Sequence, residues 1–88
     1  MARVTVVLPP PLLRLFPTAE PRVAVEAATV ADAIAALDAH WPGLRDRLCD
    51  STPRIRRTVN VFVGGQKARL ETELADGAEL VVLPAVIG

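Results

Sequence analysis

Side chains that act as acids, bases or nucleophiles are few in this sequence, and they lie apart from one another. The chain has one histidine, His40, and one cysteine, Cys49, and carboxylates are dispersed through the same region at Asp32, Asp38, Asp46 and Asp50. Catalysis requires such groups to converge on one reacting centre. Because the sequence shows neither a catalytic set nor metal-ligand spacing, we predict a protein that is not an enzyme and that holds no metal and no cofactor.

His40 and Cys49 also have ordinary structural explanations. His40 lies near the predicted end of a helix, where a positive charge interacts favourably with the helix dipole. Arg47 lies close to Cys49 in the sequence, and a neighbouring cation lowers the pKa of a thiol. We nevertheless expect Cys49 to be a small, partly buried side chain rather than a reactive nucleophile.

A dense group of positive charges is formed by Arg54, Arg56 and Arg57. Its simplest interpretation is the solvated start of a strand. The alternative is a contact for an acidic surface of a partner protein, because complementary charge speeds association. Nucleic acid is a weaker candidate, since the ten basic and ten acidic residues of the chain cancel and no aromatic platform accompanies the arginines.

The last residues of the chain form an uncharged, apolar segment. Asp76-Gly77 is a turn signal, residues 79–83 are predicted to form a strand, and Pro84 is expected to stop it because proline cannot extend a central ladder. Residues 85–88, Ala-Val-Ile-Gly, follow without charge or turn chemistry. The residues alone leave two interpretations open: an apolar end that packs against the sheet edge, or a functional tail.

Length and composition indicate one folded domain, residues 1–88. Hydrophobic residues make up 51% of the 88 positions, which argues against disorder. A single cysteine excludes an internal disulfide. No apolar run approaches the roughly 20 residues of a membrane span, and no signal-peptide pattern is present. We therefore expect a cytoplasmic protein that does not contact a membrane.

Two strands with a proline-rich connection are predicted in the first third of the chain. Residues 3–8 are dense in β-branched side chains, and residues 22–27 alternate between polar and apolar. Pro9-Pro10-Pro11 predicts an extended, solvated connection after the first strand. Residues 12–16 are predicted to form a helical turn or irregular loop whose apolar side chains cover one end of the core.

One long helix is predicted to begin after Thr29. Thr29 has the side chain of an N-cap, and Asp32 three positions later completes a capping-type pair. Pro42-Gly43 ends the helix, and residues 44–48 are predicted to start a short second one. One apolar stripe at steps of three and four residues faces the core; it consists of Val30, Ala31, Ile34, Leu37 and Trp41.

Three strand segments follow the helices. Residues 54–63 are predicted to form a strand with Val59, Val61 and Val63 on one side and Asn60 and Phe62 on the other. Gly64-Gly65 predicts a hairpin turn, because paired glycines satisfy the primed turns that match the twist of the strands. A phosphate-binding loop is a much weaker interpretation, since neither a Lys-Ser/Thr pair nor a helix follows the glycines. Residues 66–70 return as a short strand. The elements predict an α+β protein with one mixed sheet packed on one main helix.

Three segments resemble the MoaD/ThiS family of ubiquitin-like sulfur carriers. Residues 59–65, Val-Asn-Val-Phe-Val-Gly-Gly, are similar to the strand and turn of the family, and residues 76–80, Asp-Gly-Ala-Glu-Leu, to the turn before its last strand. Leu83-Pro84-Ala85-Val86 is close to the family's LPxVxGG ending. The resemblance covers nearly the whole chain and implies the β-grasp, or ubiquitin-like, fold, with four to five strands on one helix.

The resemblance also implies a function that depends on the C-terminus. An ATP-dependent, E1-like adenylating enzyme would activate the Gly88 carboxylate and replace the AMP with sulfur. The thiocarboxylate would then donate sulfur in molybdopterin, thiamine or cysteine biosynthesis, to a molybdopterin-synthase large subunit, a thiazole synthase or a cysteine synthase. Residues that would contact these partners are the threaded tail, Leu83, Pro84, Ala85, Val86 and Ile87, and a docking surface that includes Phe62, Leu80, Arg54, Arg56 and Arg57.

Two other functions remain open alongside the carrier. One is a non-catalytic small subunit that inserts its tail into a partner to complete or regulate the partner's site. The other is a ubiquitin-like modifier that is joined to lysine side chains through Gly88.

One position departs from the family ending, which is Gly-Gly. Ile87 stands in the place of the first glycine, and its β-branched side chain adds bulk and stiffens the backbone. Three explanations compete: a further glycine follows Gly88 in the native protein, the activating enzyme tolerates Ile87, or the tail has lost carrier activity and serves in binding.

Overall fold

A computed structural model describes residues 1–52 and 54–84. Its elements follow one another in the order strand, helix, strand, helix, helix and three strands. They are β1 (Ala2–Val7), α1 (Pro10–Leu15), β2 (Arg22–Ala27), α2 (Val30–His40), α3 (Leu44–Leu48), β3 (Val59–Val63), β4 (Gln66–Lys67) and β5 (Glu79–Pro84).

The five strands form one mixed sheet in the order β2-β1-β5-β3-β4. Strand β5 lies between β1, to which it is parallel, and β3, to which it is antiparallel. The β1–β2 and β3–β4 pairs are both antiparallel hairpins on either side of it. The predicted α+β class and β-grasp arrangement, with one main helix on a mixed sheet, are confirmed.

One face of the sheet and the apolar stripe of α2 enclose the core. Alternate residues of the strands are buried, as expected for a sheet with one covered face. The fully or nearly fully buried side chains of these elements are Val4, Val6, Val25, Ala27, Val30, Ala33, Ile34, Leu37, Val61, Leu80 and Val82. The opposite face of the sheet carries the half-buried and exposed positions.

The N-terminus of α2 confirms the predicted cap. The Asp32 N–H donates to Thr29 Oγ1 at 3.3 Å, and Asp32 Oδ2 accepts from the Ala28 N–H at 3.3 Å. The predicted stripe needs one change, because Ala31 is exposed and Ala33 is buried in its place. Trp41 caps the C-terminus of the helix and is half-buried.

The prediction of an extended connection at Pro9-Pro10-Pro11 is wrong for its second half. Pro10 and Pro11 are the first two residues of α1. Proline fits the first turn of a helix because the amide hydrogen that it lacks would have no intrahelical partner there. Leu12 is buried at one end of the core, as we expected for this segment.

The strand predicted at residues 54–63 begins only at Val59. The preceding residues bond to the end of α3: the Arg56 N–H donates to the Leu48 carbonyl at 2.9 Å, and the Asp50 N–H donates to the Arg54 carbonyl at 2.8 Å. These contacts hold residues 54–56 away from the sheet, and residues 57–58 form a turn.

The β3–β4 hairpin turns at Gly64-Gly65, as predicted. Both glycines have positive φ, at 59° and 80°, which is the geometry that two-residue hairpin turns require. Strand β4 is shorter than the predicted residues 66–70, since it ends at Lys67. Ala68 is buried and donates its N–H to the Val61 carbonyl, and the chain then enters a turn in which the Thr72 N–H donates to the Arg69 carbonyl.

Candidate functional site

Strand β5 carries the chain from the middle of the sheet to its C-terminal segment. Leu83 is opposite Asn60 and Pro84 is opposite Val59 on β3. The first two residues of the predicted tail therefore belong to the strand, and Pro84 is its last residue. A proline is compatible with the end of a strand because it has no amide hydrogen to donate to a ladder. Ala85, Val86, Ile87 and Gly88 lie outside the described residues.

The start of β5 is fixed to β1 by the Asp76-Gly77 turn. The Arg3 N–H donates to Asp76 Oδ1 at 2.8 Å, and the Gly77 N–H donates to the Arg3 carbonyl at 2.8 Å. Gly77 has φ 85°, a conformation that a side chain disfavours. Two reciprocal bonds to one residue of β1 thus set the register of the strand that ends at Pro84.

The face of the sheet opposite the helices carries an apolar band. We define the band as Val7, Phe62, Val81 and Leu83. Val81 is paired with Val7 of β1 on one side and with Phe62 of β3 on the other, so the three side chains form one row across the sheet. Leu83 extends this row toward the end of β5 and is 45% exposed.

Polar residues border the apolar band on both edge strands. Arg22 of β2 is opposite Val7, and Lys67 of β4 is opposite Phe62. Arg22 also forms an ion pair with Glu79 of β5, with 2.6 Å between Nη2 and Oε2. An apolar centre with a polar rim is the usual anatomy of a protein–protein interface.

Leu80 does not lie on this face, so our prediction that it contributes to an exposed docking surface is wrong. Its side chain is 0% exposed, and its partner across the ladder is Val63. Successive residues of a strand point to opposite faces, and therefore Leu80 faces the helices while Val81 faces outward. The sequence analysis missed Val81 and Val7 as surface residues.

An apolar groove of about 150 Å³ lies beside the end of β5. It is lined by α1, through Pro11, Leu12 and Leu15, and by Leu83 and Pro84. Leu15 is 51% exposed. Apolar surface therefore lies around Pro84, the last residue of β5.

Arg54, Arg56 and Arg57 lie between α3 and β3, and all three are exposed. Arg56 Nε donates to the Asp46 carbonyl at 2.7 Å. The interpretation that they form the solvated start of a strand is wrong, because β3 begins only at Val59. None of the three belongs to the apolar band.

Cys49 is buried, with 5% of its surface exposed, and the expected buried position is confirmed. Burial raises the pKa of its thiol, and Arg45 is the strongest of the cations that oppose this rise. Arg56 is the other cation that opposes the rise. A neutral, buried thiol is poorly suited to nucleophilic chemistry.

His40 is exposed at the end of α2, and its ring centroid is 5.7 Å from that of Trp41. The indole Nε1 of Trp41 donates to Thr18 Oγ1 at 3.0 Å. Within residues 1–52 and 54–84, no three His, Cys, Asp or Glu side chains are grouped so as to hold a metal ion. The same part of the chain contains no helix of the length and apolar character needed to cross a bilayer.

Comparison with known sequences supports the resemblance. The sequence profile of the ThiS family matches residues 13–88. The sulfur carrier protein CysO of Mycobacterium tuberculosis is 35% identical over 85 residues, which cover 90% of this chain and 91% of the relative.

Solved structures share the fold. The crystal structure of the Amycolatopsis orientalis BexX/CysO complex contains a chain with a TM-score of 0.84 and 34% identity, covering 97% of this chain and 98% of that one. SAMP1 from Haloferax volcanii has a TM-score of 0.81 and 29% identity, with 99% of each chain covered.

Proposed function

Because this chain belongs to the ThiS family, we propose that it is a sulfur carrier whose C-terminal Gly88 carboxylate is converted to a thiocarboxylate. The observation that carries the proposal is the similarity, over 90% of the chain, to a relative named as a sulfur carrier protein. In this proposal the chain is a substrate of other enzymes. The proposal also treats residues 1–88 as one domain.

The chemistry takes place in two steps, the first at the α-phosphorus of ATP and the second at the carbonyl carbon of Gly88. In the first, a Gly88 carboxylate oxygen attacks the α-phosphorus of ATP, pyrophosphate leaves, and an acyl-adenylate forms. In the second, a sulfur nucleophile attacks the carbonyl carbon and AMP leaves with the bridging oxygen. When the nucleophile is sulfide, the net change is the exchange of one oxygen for one sulfur. Adenylation is needed because a carboxylate has no adequate leaving group.

The sheet contributes a rigid base for this chemistry. Strand β5 is paired on both sides, with β1 and with β3, so Pro84 has a fixed position relative to the whole domain. Residues 85–88 then reach into the partner, and Gly88, which has no side chain, approaches the nucleotide closely. Fixing the position of a reacting group relative to its partner lowers the entropic part of the barrier.

The apolar band supplies the docking surface in this proposal. Phe62, Val81 and Leu83 lie on one face, and Leu83 directly precedes Pro84, the last residue of β5. Buried apolar anchors dominate interface energetics. The partners are an ATP-dependent adenylating enzyme and an enzyme that accepts the sulfur. The solved BexX/CysO complex from Amycolatopsis orientalis supports the view that this fold binds a partner protein.

Intact-mass spectrometry tests the proposal. The chain is incubated with ATP, sulfide and the adenylating enzyme from its own genome, in parallel with a form that carries one more glycine after Gly88. A mass gain equal to one oxygen replaced by sulfur on the chain ending Ile87-Gly88 indicates a carrier whose partner accepts Ile87. A gain on the extended form alone indicates that the further glycine is needed.

No gain on either form, with an adenylating enzyme that is active on another carrier, contradicts the carrier function. The second candidate is then a protein modifier, which is favoured by the likeness to a structure of the small archaeal modifier protein 1 (29% identity, TM-score 0.81). An isopeptide bond between Gly88 and a lysine of another protein, identified by tandem mass spectrometry, distinguishes the modifier from the carrier.

A further inference from the structure

A second surface lies at the β4 edge of the sheet and adjoins the apolar band at Lys67, the partner of Phe62. It is a groove of about 470 Å³ between residues 54–57, the start of β3 and residues 67–71. The groove is open to solvent, and its lining combines charged side chains with the half-buried apolar side chains of Ile55, Val59 and Leu70.

Half of the basic residues of the chain line this one groove. They are Arg54, Arg56, Arg57, Lys67 and Arg69, five of ten, and Glu71 is the only one of the ten acidic residues that joins them. The groove therefore carries a formal charge of +4, and the rest of the chain carries −4. The net charge of the chain is zero, but positive and negative charges are concentrated in different parts of it.

The five cations are exposed and lack acidic partners among the described residues. The one ion pair in residues 1–52 and 54–84 is Arg22–Glu79, which lies on other strands. Arg56 donates Nε to a backbone carbonyl, that of Asp46. A concentration of like charge raises the electrostatic energy of the free protein and attracts an anionic partner, so the groove is suited to bind negative charge.

The lining favours an acidic peptide segment over nucleic acid. None of the residues that line the groove is aromatic, whereas single-stranded nucleic acid is held by stacking on aromatic side chains. Apolar side chains accompany the cations instead: Ile55 stands between Arg54 and Arg56, and Val59 follows closely after them. An extended segment with acidic and apolar residues matches both components of the groove.

The position of the groove relates it to the tail. Val59 lines the groove and is also the partner of Pro84, the last residue of β5. A segment bound in the groove therefore lies one strand away from the point where the tail begins.

We infer that this groove binds an acidic segment of the enzyme that adenylates the tail. The inference rests on the proposed function for the identity of the partner. The groove and the apolar band then contact the same enzyme at two points, on an edge and on a face of the sheet. Complementary charge at such a rim contact acts mainly on the association rate.

Two double variants test the inference. Each loses two positive charges, and they differ in where those charges lie. Arg57→Gln/Arg69→Gln takes two charges from the groove and leaves the Arg56–Asp46 hydrogen bond in place. Arg14→Gln/Arg45→Gln takes two exposed charges from elsewhere. Both have the same net charge, so a difference between them reports on position.

Association kinetics with the adenylating enzyme give the first measurement. The groove variant is expected to associate about tenfold more slowly at about 0.05 M salt, with little difference at about 0.5 M salt, because salt screens the attraction. The control pair stays within about twofold of the unaltered chain. Equal rates for the two variants at low salt contradict the inference, while thiocarboxylate formation on the unaltered chain tests the carrier function separately.

Amide chemical shifts provide a measurement that requires no partner enzyme. A synthetic peptide of alternating glutamate and leucine is expected to shift the amides of Ile55, Val59 and residues 67–70, and the groove variant abolishes these shifts. A single-stranded oligonucleotide is the comparison probe. Shifts with the oligonucleotide and none with the peptide overturn the inference in favour of a nucleic-acid site.

Discussion

Val81 on β5 and Phe62 on β3 are directly opposite each other, and both side chains face away from the helices. With Val7 they form a row through the three central strands, bordered by Arg22 and Lys67 on the edge strands. Replacing one member of this row alters the surface of the domain without opening its core, so binding and stability can be tested independently.

Truncating Phe62 is expected to weaken binding to the adenylating enzyme. Phe62→Ala removes an aromatic anchor from the centre of the band, and hot-spot truncations cost about 2 kcal/mol or more. The dissociation constant from titration calorimetry should rise by at least about tenfold, while the thermal midpoint should change little. Glu26→Ala, on β2 of the same sheet and outside the band, serves as control. An unchanged dissociation constant for Phe62→Ala would remove the band from the docking surface.

Neighbouring leucines of β5 are expected to differ sharply in their effect on stability. Leu80→Ala leaves a cavity in the core and should lower the free energy of unfolding by about 2–5 kcal/mol. Leu83→Ala changes a side chain that is 45% exposed and should cost less than about 1.5 kcal/mol. Urea denaturation followed by circular dichroism measures both. Similar losses for the two variants would contradict the assignment of their faces.

The hydrogen bonds that Asp50 accepts from Thr52 and Arg54 are expected to weaken in acid. The Thr52 hydroxyl donates to Asp50 Oδ1, as do the N–H groups of Thr52 and Arg54, and these bonds hold the pKa of the Asp50 carboxyl below its ordinary value. A group whose folded pKa is depressed stabilises the fold above its unfolded pKa of about 3.9. That stabilisation is lost as the pH falls through the folded pKa.

The Thr52 hydroxyl is the largest cause of the Asp50 shift. Thr52→Val should therefore raise the pKa of Asp50 toward its ordinary value, as followed by the carboxyl carbon shift during an NMR titration. Ser51→Ala removes a neighbouring hydroxyl that does not contribute to this shift and should leave the titration in place. An Asp50 curve that is the same in Thr52→Val and in the unaltered chain would exclude the hydroxyl as the cause.

The Cys49 thiol is expected to be unreactive in the folded protein. Its pKa is raised by burial, so the folded state retains the proton over a pH range in which the unfolded state loses it, and stability falls as the pH rises above the unfolded thiol pKa of about 8.5. A disulfide reagent at mildly alkaline pH should label the native chain slowly and the urea-unfolded chain fast. Rapid native labelling would show an accessible thiolate.

The sequence predicted those features that depend on neighbouring residues. The Thr29 cap, the Gly64-Gly65 turn and the alternation of β2 each follow from local chemistry, and the structure confirms them. The direction of the side chains in β5 could not be predicted in this way. Residues 80–83 are all apolar, so a one-residue change of phase leaves the pattern the same, and only the pairing with β1 and β3 decides that Leu80 faces inward.

The remaining errors concern contacts between distant parts of the chain. Residues 54–56 bond to the end of α3 rather than extending β3, because backbone partners from another element are available there. Lys67 and Arg69 join Arg54, Arg56 and Arg57 only through the β3–β4 hairpin and the turn after it. The sequence showed three of these five cations as a group, and the fold shows that they form one side of a groove.

The central place of β5 also has a mechanical consequence. Force applied to the C-terminal segment by a bound enzyme runs along β5, and the hydrogen bonds to β1 and β3 lie largely across that direction. The load is therefore shared among many bonds of two ladders instead of opening one bond at a time. In the proposed function, the domain therefore stays folded while the adenylating enzyme holds the chain end.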